Sequence, residues 1–492
     1  MTPSATPKAP ARTEKTFFGQ PRPLVTIFGV EMWERFSFYG MQGILLLYMF
    51  YPVIKGGLGI DERVAAGIVG AYGGGVYLAT ILGAWLSDCL FGSERVLFYS
   101  AVLVMFGHLA LALLPAYTGL TVGLIAIALG AGGVKANATS IVGQLYKPDD
   151  VRRDAGFSLY YLGINLGAFV GPLATGFLQT TQGFHWGFGL AAFGMAAGLI
   201  QYMFGRRRLP KSASQIPNPL PASKRWLVVV LAVAGIALIV ALVSIGLITS
   251  DNLALVIIVV VSGAAIAYFA NMIGSKRITK IERLRVVAFI PLFIASAAFW
   301  SLYQQQFTVV TIFANNQLNL SLFGWQMPVS WVQSINPIFI IALAGAFAAI
   351  WTKWGTKQPT TPVKFALGTI VVGLGFLLFL PIADAAPHSA PLLALVGILF
   401  VFTIAELLLS PVGLSVSTKL APKVYRTQMV ALLFLASALG TAMSGQLATF
   451  YNADNPVENI GYFLILGIIS IAIGTALLLM SRWVLKLMGG VR

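Results

Sequence analysis

Three charged residues lie inside the first apolar stretch of the chain, which we place at residues 24–53. They are Glu31, Glu34 and Arg35, and each charge at mid-membrane costs about 2.5–3.5 kcal/mol on insertion scales. Helical geometry places Glu34 about 60° to one side of Glu31 and Arg35 about 40° to the other. One guanidinium beside two carboxylates leaves a spare acid that can accept a proton. The plainer alternative is an ion pair that only locks helices together, but the spare acid favours an ion or substrate path.

Two further charges lie deep in predicted spans, Lys135 in the first half of the chain and Glu406 in the second. Together with the first cluster they make three acids and two bases, so one added proton would neutralise the set. This balance predicts proton coupling. An ion pair between Lys135 and Glu406 would hold the two halves together. Alternatively, each residue faces one end of a zwitterion, Lys135 a carboxylate and Glu406 an ammonium.

Uncharged polar and aromatic side chains recur within the predicted spans. Tyr39 and Gln42 lie on the Arg35 face of the first span. The others are Tyr77, Asn165, Trp300, Gln304, Asn336 and Ser437. Each of these alone is typical of interhelical hydrogen bonding, whereas together they could line a site. The three histidines are scattered, so we predict no metal site and no cofactor.

The composition is that of a polytopic membrane protein. The chain has 492 residues, is 58% hydrophobic and 10% charged, and has a mean hydropathy of +0.85. It contains about 14 apolar runs of membrane-spanning length. The predicted spans place both termini on one side of the membrane. That side holds every Lys and Arg except four: Arg35 and Lys135 lie within spans, and Lys55 and Arg63 lie on the other side. The positive-inside rule therefore places both termini in the cytoplasm, and the net charge of +16 reflects topology rather than nucleic-acid binding.

Polar interruptions divide the chain into two blocks of six spans around an inserted pair. This pattern predicts an all-α membrane protein of the major facilitator fold, with two six-helix bundles and a two-helix hairpin. The hairpin is almost wholly aliphatic, which indicates lipid-facing packing. The predicted units are an N-terminal tail at 1–23, a first bundle at 24–206, a linker at 207–225, the hairpin at 226–273, a basic linker at 274–286, a second bundle at 287–485 and a tail at 486–492.

Four segments resemble signatures of the proton-dependent oligopeptide transporter family, a branch of the major facilitator superfamily. The most specific is the run from Glu31 to Gly40, which is similar to the family's helix 1 signature. The run from Phe157 to Gly167 resembles its helix 5 signature. The stretch around Lys135 and the run 406–414 resemble its helices 4 and 10.

This resemblance implies uptake of di- and tripeptides driven by the proton gradient. It assigns proton coupling to Glu31, Glu34, Arg35 and Lys135. It assigns the peptide amino terminus to Glu406. The implied lining of the peptide site is Arg35, Tyr39, Tyr77, Lys135, Asn165, Trp300, Gln304, Asn336, Glu406 and Ser437.

The chain departs from the family pattern at a gate. Gln42 and Gln304 stand where many members carry an Arg and an acid that pair across the outer side. Both positions are neutral here, so we expect a gate without that ion pair. Lys135 and Glu406 are the charged gating candidates that remain.

We therefore expect a proton-coupled peptide symporter that works by alternating access, not an enzyme, in a bacterial inner membrane. Its expected partners are di- and tripeptides, protons and membrane lipid, and we expect a monomer. The nearest alternative is the same architecture carrying another solute, such as nitrate, an amino-acid-like compound or a peptide-like drug.

Overall fold

The computed structural model describes residues 16–147, 150, 152–452 and 455–490, so parts of both predicted tails lie outside the described residues. The first bundle comprises α1 (Pro23–Phe50), α2 (Glu62–Leu86), α3 (Ser93–Leu113), α4 (Ala116–Gln144), α5 (Arg153–Gln182) and α6 (Phe184–Gly205). The hairpin comprises α7 (Ala222–Ser244) and α8 (Leu253–Gly274). The second bundle comprises α9 (Lys280–Tyr303), the short α10 (Val309–Asn316), α11 (Ile335–Trp354), α12 (Thr361–Leu377), α13 (Leu392–Leu420), α14 (Arg426–Ala448) and α15 (Pro456–Leu487). A small antiparallel pair, β1 (Ser321–Leu322) and β2 (Trp325–Gln326), follows α10.

Thirteen helical segments in the described parts of the chain are long and apolar enough to cross a membrane. Helix α1 is not among these thirteen, although its 28 residues exceed the length needed to span. It carries Glu31, Glu34 and Arg35, and all three side chains are buried against neighbouring helices. Since α1 packs along α5 and α6, the protein rather than lipid surrounds these charges.

The first span of the second bundle is a broken helix. Helix α9 ends at Tyr303, a 3₁₀ turn covers Gln304–Phe307, and Thr308 has φ −123° and ψ −95° before α10 begins. A break inside a membrane protein frees backbone carbonyls, which need new partners. The side-chain amide of Gln333 donates to the Gln306 carbonyl at 2.6 Å, which satisfies one of them.

The helices alternate in direction, which defines two ends of the molecule. We call the end where α1 begins and α15 ends the basic face, because the described Lys and Arg outside the spans lie there except for Lys55 and Arg63. The other end is the opposite face. Helix α1 runs from the basic face to the opposite face, and α2 returns.

The two bundles meet through α2 against α14, and through α5 against α11 and the 3₁₀ turn Val329–Ser334. On the opposite-face half of α2, glycine permits the closest approach. A Cβ atom at Gly70 would lie 2.4 Å from the Cα atom of Gly445 in α14. Such a contact is available only to glycine, so this pair fixes how closely the bundles can approach at this end.

The inserted hairpin lies outside both bundles. Helix α7 has no buried residue, as the aliphatic sequence predicts for a lipid-facing helix. Helix α8 contacts α2 of the first bundle and α9 and α14 of the second. The linker before the hairpin is attached to the turn after α2, because the amides of Asn218 and Leu220 donate to the carbonyls of Asp88 and Cys89.

Candidate transport site

A cavity of about 230 Å³ lies between the two bundles near their midpoint. We call it the central cavity. It brings together the proton-coupling candidate Glu31 and most of the residues that the sequence predicted for substrate binding, namely Arg35, Tyr39, Tyr77, Lys135, Asn165, Trp300, Gln304, Asn336 and Glu406. These residues come from α1, α2, α4 and α5 of the first bundle and from α9, its following turn, α11 and α13 of the second.

The cavity extends toward the basic face. Each of four helices contributes a second lining residue one turn nearer that face: Thr139 after Lys135, Tyr161 before Asn165, Ile340 after Asn336 and Ser410 after Glu406. The direction of each helix places these second residues on the basic side of the first.

The opposite side of the cavity is closed by hydrogen bonds between the bundles. The indole of Trp331 donates to the Leu173 carbonyl at 3.0 Å, and the Ser334 hydroxyl donates to the Phe169 carbonyl at 2.7 Å. Beyond them the structure has a vestibule of about 1170 Å³ at the opposite face. The structure is therefore a state in which the site faces the basic side.

On α1, one guanidinium serves two carboxylates. The Nε atom of Arg35 lies 2.9 Å from Oε1 of Glu31 and 3.1 Å from Oε2 of Glu34. Glu34 is fully buried, and neither of its carboxylate oxygens accepts a hydrogen bond in the described structure. The second oxygen of Glu31 also lacks a partner. The cluster thus has one negative charge in excess and unpaired lone pairs that can accept a proton.

Lys135 projects from α4 into the cavity beside this cluster. Its ammonium lies 4.1 Å from the centre of the Tyr77 ring, within the range of a cation–π contact. Among the described residues, none of the four ion pairs within 4.0 Å includes Lys135 or Glu406. In this state the predicted direct bridge between the halves is not formed, and the two charges remain available at separate places in one cavity.

Glu406 lies on α13 at the second-bundle wall. Its carboxylate accepts a short hydrogen bond from the Tyr303 hydroxyl. The same hydroxyl lies 3.1 Å from the side-chain oxygen of Asn336, whose amide nitrogen donates to the Thr403 hydroxyl at 3.0 Å. This network holds the carboxylate in place while leaving it without a cationic partner among the described residues.

Aromatic rings form the walls between the two charged ends. Tyr39 stacks on Phe307 at 6.1 Å, and the rings of Tyr77 and Trp300 are 6.5 Å apart. Trp300 also packs edge-on against Tyr303 at 5.4 Å. Such walls provide apolar surface for a side chain and restrict the orientation of a solute between them.

The two predicted gate amides line an adjoining pocket of about 50 Å³ on the opposite-face side of Arg35, which shares Gln304 with the central cavity. The Gln304 amide donates to the Thr441 hydroxyl at 3.3 Å. Gln42 is buried, and its side-chain oxygen accepts no hydrogen bond in the described structure. The amides share one pocket without a direct hydrogen bond, and their gating role stays a prediction.

Besides Gln42, two predicted site residues do not line the central cavity. Glu34 lies behind Arg35, which agrees with a role in proton coupling rather than in contact with a solute. Ser437 is buried on α14, where its hydroxyl donates to the Leu433 carbonyl of the preceding turn at 3.4 Å. In this state Ser437 is not at the central cavity, and its role in substrate binding stays a prediction.

Sequence reasoning missed several residues that line the central cavity: Thr139, Tyr160, Tyr161, Tyr303, Gln306 and Gln333. Tyr160 and Tyr161 stand within the run resembling helix 5, so that run contained a usable signal. Tyr303 and Gln306 lie around the break after α9, which periodicity over an apolar run does not reveal.

The fold and the site define a membrane carrier that has one central site between two helical bundles. The model of the POT family (PTR2) matches residues 94–463. This chain belongs to that family, which confirms the predicted resemblance and the major facilitator fold.

Two relatives and one solved structure illustrate how much of the chain the similarity covers. The uncharacterized transporter YclF of Bacillus subtilis is 40% identical over 97% of this chain and 97% of its own length. A di-/tripeptide transporter of Lactococcus lactis subsp. cremoris is 40% identical over 98% of this chain and 99% of its own. A crystal structure of the peptide transporter POT in complex with sulfate is 42% identical, has a TM-score of 0.91, and covers 97% of this chain and 98% of that one.

Proposed function

We propose that this chain is a proton-coupled symporter that imports di- and tripeptides by alternating access. The observation that carries the proposal is the charge layout of the central cavity, with Arg35 and Lys135 on one wall and Glu406 on the other. A free peptide is a zwitterion, so its carboxylate is matched to the cationic wall and its ammonium to Glu406. The similarity to a di-/tripeptide transporter supports the same substrate class.

The cavity volume of about 230 Å³ supports a small solute. It lies below the roughly 300–1,000 Å³ typical of sites for drug-sized ligands. A short peptide fits this limit, whereas a long peptide requires a larger cavity. The lining combines ring faces with polar groups such as the amides of Asn165, Gln304 and Asn336. The polar groups can therefore bind the peptide backbone, while the ring faces contact apolar side chains.

Proton coupling follows from the excess carboxylate on α1. With Glu31 and Glu34 both ionised, Arg35 is held by two acceptors. A proton on either acid removes one of the two attractions and makes the cluster neutral, so Arg35 and Lys135 can attract a peptide carboxylate. Loss of the proton toward the basic face restores the hold on Arg35 and favours release of the peptide.

We also propose the orientation and location of the carrier. The basic face is cytoplasmic by the positive-inside rule, so the structure is the inward-facing state of a bacterial inner-membrane protein. The chain contains both bundles and a complete central cavity, which supports a monomeric transport unit.

Uptake by proteoliposomes under an imposed pH gradient tests the proposal. Labelled dialanine should accumulate above its external concentration when the exterior is acidic, and a protonophore should abolish this accumulation. Unlabelled di- and tripeptides should compete, whereas nitrate and a dipeptide blocked at both ends should compete weakly. Accumulation of nitrate instead, or dialanine uptake indifferent to the gradient, would reject the proposal.

A further inference from the structure

A second cavity lies at the side of the molecule, where the two bundles and the hairpin meet. We call it the lateral crevice. It has a volume of about 670 Å³ and is separate from the central cavity. Its walls are α2 from the first bundle, α14 from the second and α8 from the hairpin. None of its lining residues belongs to the central cavity, so the proposed peptide site does not account for it.

The depth of the crevice matches one half of a bilayer. On α14 its lining begins at Arg426, the first residue of the helix, and reaches Leu435. The nine helical steps between these two residues span about 13–14 Å, close to half of the ~30 Å hydrocarbon core. On α2 the lining ends at Trp85, one residue before the helix ends at the basic face. The crevice therefore opens into the leaflet at the basic face and ends near the midplane.

The chemistry of the walls changes along this depth. The deep part is apolar, formed by side chains such as Leu78, Ile81 and Phe434. The rim carries Arg426 with Thr427 and Gln428 beside it. Arg426 is exposed, and the four ion pairs in the described part of the chain do not include it.

The rim is also basic beyond the crevice itself. Helix α8 is followed by the exposed Lys276 and Arg277, and the hydroxyl of Tyr425 donates to the Ser275 hydroxyl at 3.0 Å, which joins that segment to the start of α14. The lateral crevice thus has cationic side chains at its rim and an apolar interior that is one leaflet deep. This arrangement complements a molecule with an anionic head group and a hydrocarbon tail.

We propose that the lateral crevice binds one anionic phospholipid from the leaflet at the basic face. An acyl chain occupies the apolar part between α2, α8 and α14, and the phosphate group lies at Arg426. The proposal does not depend on the transported solute, because no residue of the central cavity takes part.

The site has a consequence for the transport cycle. Its α2 and α14 walls belong to different bundles, and the bundles must change their relative position when the basic side closes. A lipid held between these walls binds most tightly in the geometry described here. By linkage, the lipid then favours the state in which the basic side is open.

Native mass spectrometry of the full chain, released from nanodiscs containing phosphatidylcholine and phosphatidylglycerol, tests the binding. The wild type should retain one phosphatidylglycerol in preference to phosphatidylcholine. Arg426→Gln should weaken this retention about fivefold, the contribution of one arginine near an anionic surface. Ala264→Trp leaves Arg426 in place and fills the apolar part of the lateral crevice from α8, so it should abolish retention. Arg482→Gln removes one exposed charge on α15 at the same face and should have no effect.

Each alternative outcome has a definite meaning. Equal retention of the two lipids would reject a site selective for anionic lipid. An equal loss of phosphatidylglycerol in Arg426→Gln and Arg482→Gln would show nonspecific attraction to the charged surface. Full retention in Ala264→Trp would show that no acyl chain enters the crevice.

A second experiment tests the linkage to the transport cycle. Spin labels at positions 144 and 415, with Cys89 replaced by Ser, should report a larger fraction of molecules open at the basic side with phosphatidylglycerol than without. An unchanged distance distribution would reject it.

Discussion

Replacing Glu406 by glutamine removes one charge from the cavity wall and nearly preserves its shape. The carboxylate accepts a hydrogen bond from Tyr303, which in turn contacts Asn336 at 3.1 Å. A glutamine oxygen can accept the same bond, so the network and the fold should persist. The substitution therefore isolates the attraction between Glu406 and a peptide ammonium.

The expected magnitude follows from the type of bond that is lost. A hydrogen bond to a charged group contributes about 1.5–3 kcal/mol, which corresponds to roughly 10- to 150-fold in a dissociation constant. This loss should apply to a free dipeptide. It should not apply to the N-acetylated dipeptide, which has no ammonium to offer. The variant should bind the two ligands with similar affinities, whereas the wild type should prefer the free one.

Isothermal titration of both dipeptides into the wild type and Glu406→Gln measures the two losses directly. Asp251→Asn is the matched control, because it removes one carboxylate in the exposed turn of the hairpin, far from the cavity. It should leave both affinities unchanged. Equal losses for the free and acetylated peptides in Glu406→Gln would show that this residue does not receive the amino terminus, and the proposed peptide orientation would be wrong.

Three further predictions concern coupling, the neutral gate and the bundle contact. Glu34→Gln should abolish uphill uptake yet preserve exchange between equal peptide pools, as measured in proteoliposomes; retained accumulation would refute its role. Gln42→Arg and Gln304→Glu should each lower thermal stability, and the double variant should recover about 0.5–3 kcal/mol by pairing, whereas additive losses would mean that the two side chains do not meet. Gly70→Ala should shift spin-label distances toward an open opposite face, because its Cβ would lie 2.4 Å from the facing helix, whereas Gly75→Ala, with no atom within 4 Å, should not.

The sequence predicted the spans because membrane insertion depends on local hydrophobicity, which a single chain displays directly. It also predicted which charges share the site, since a buried charge needs a partner wherever it lies. Glu31, Lys135 and Glu406 are far apart in the sequence and line one cavity in the structure. The helical angles on α1 placed Arg35 on the same broad face as both acids, and in the structure its guanidinium contacts the two carboxylates.

Other features depend on tertiary contacts that the pattern does not encode. The break after Tyr303 interrupts an apolar run that the sequence pattern predicts as one continuous span. The amide of Gln333, from a turn distant in the sequence, donates a hydrogen bond to one of the backbone carbonyls that the break frees. Ser437 was predicted at the site from its type and depth, but its hydroxyl bonds to its own helix. Hydrophobicity gives the depth of a residue in the membrane and does not specify which side of the helix meets the cavity.

Peptide-driven proton movement tests the central claim most directly, because it requires the site and the proton-accepting cluster to act together. Proteoliposomes containing a trapped pH indicator are prepared with equal pH on both sides, and valinomycin with potassium dissipates the electrical potential. Adding dialanine outside should acidify the interior, and Glu34→Gln should abolish this signal. Entry of labelled dialanine into wild-type vesicles without any internal acidification would contradict proton coupling at this site.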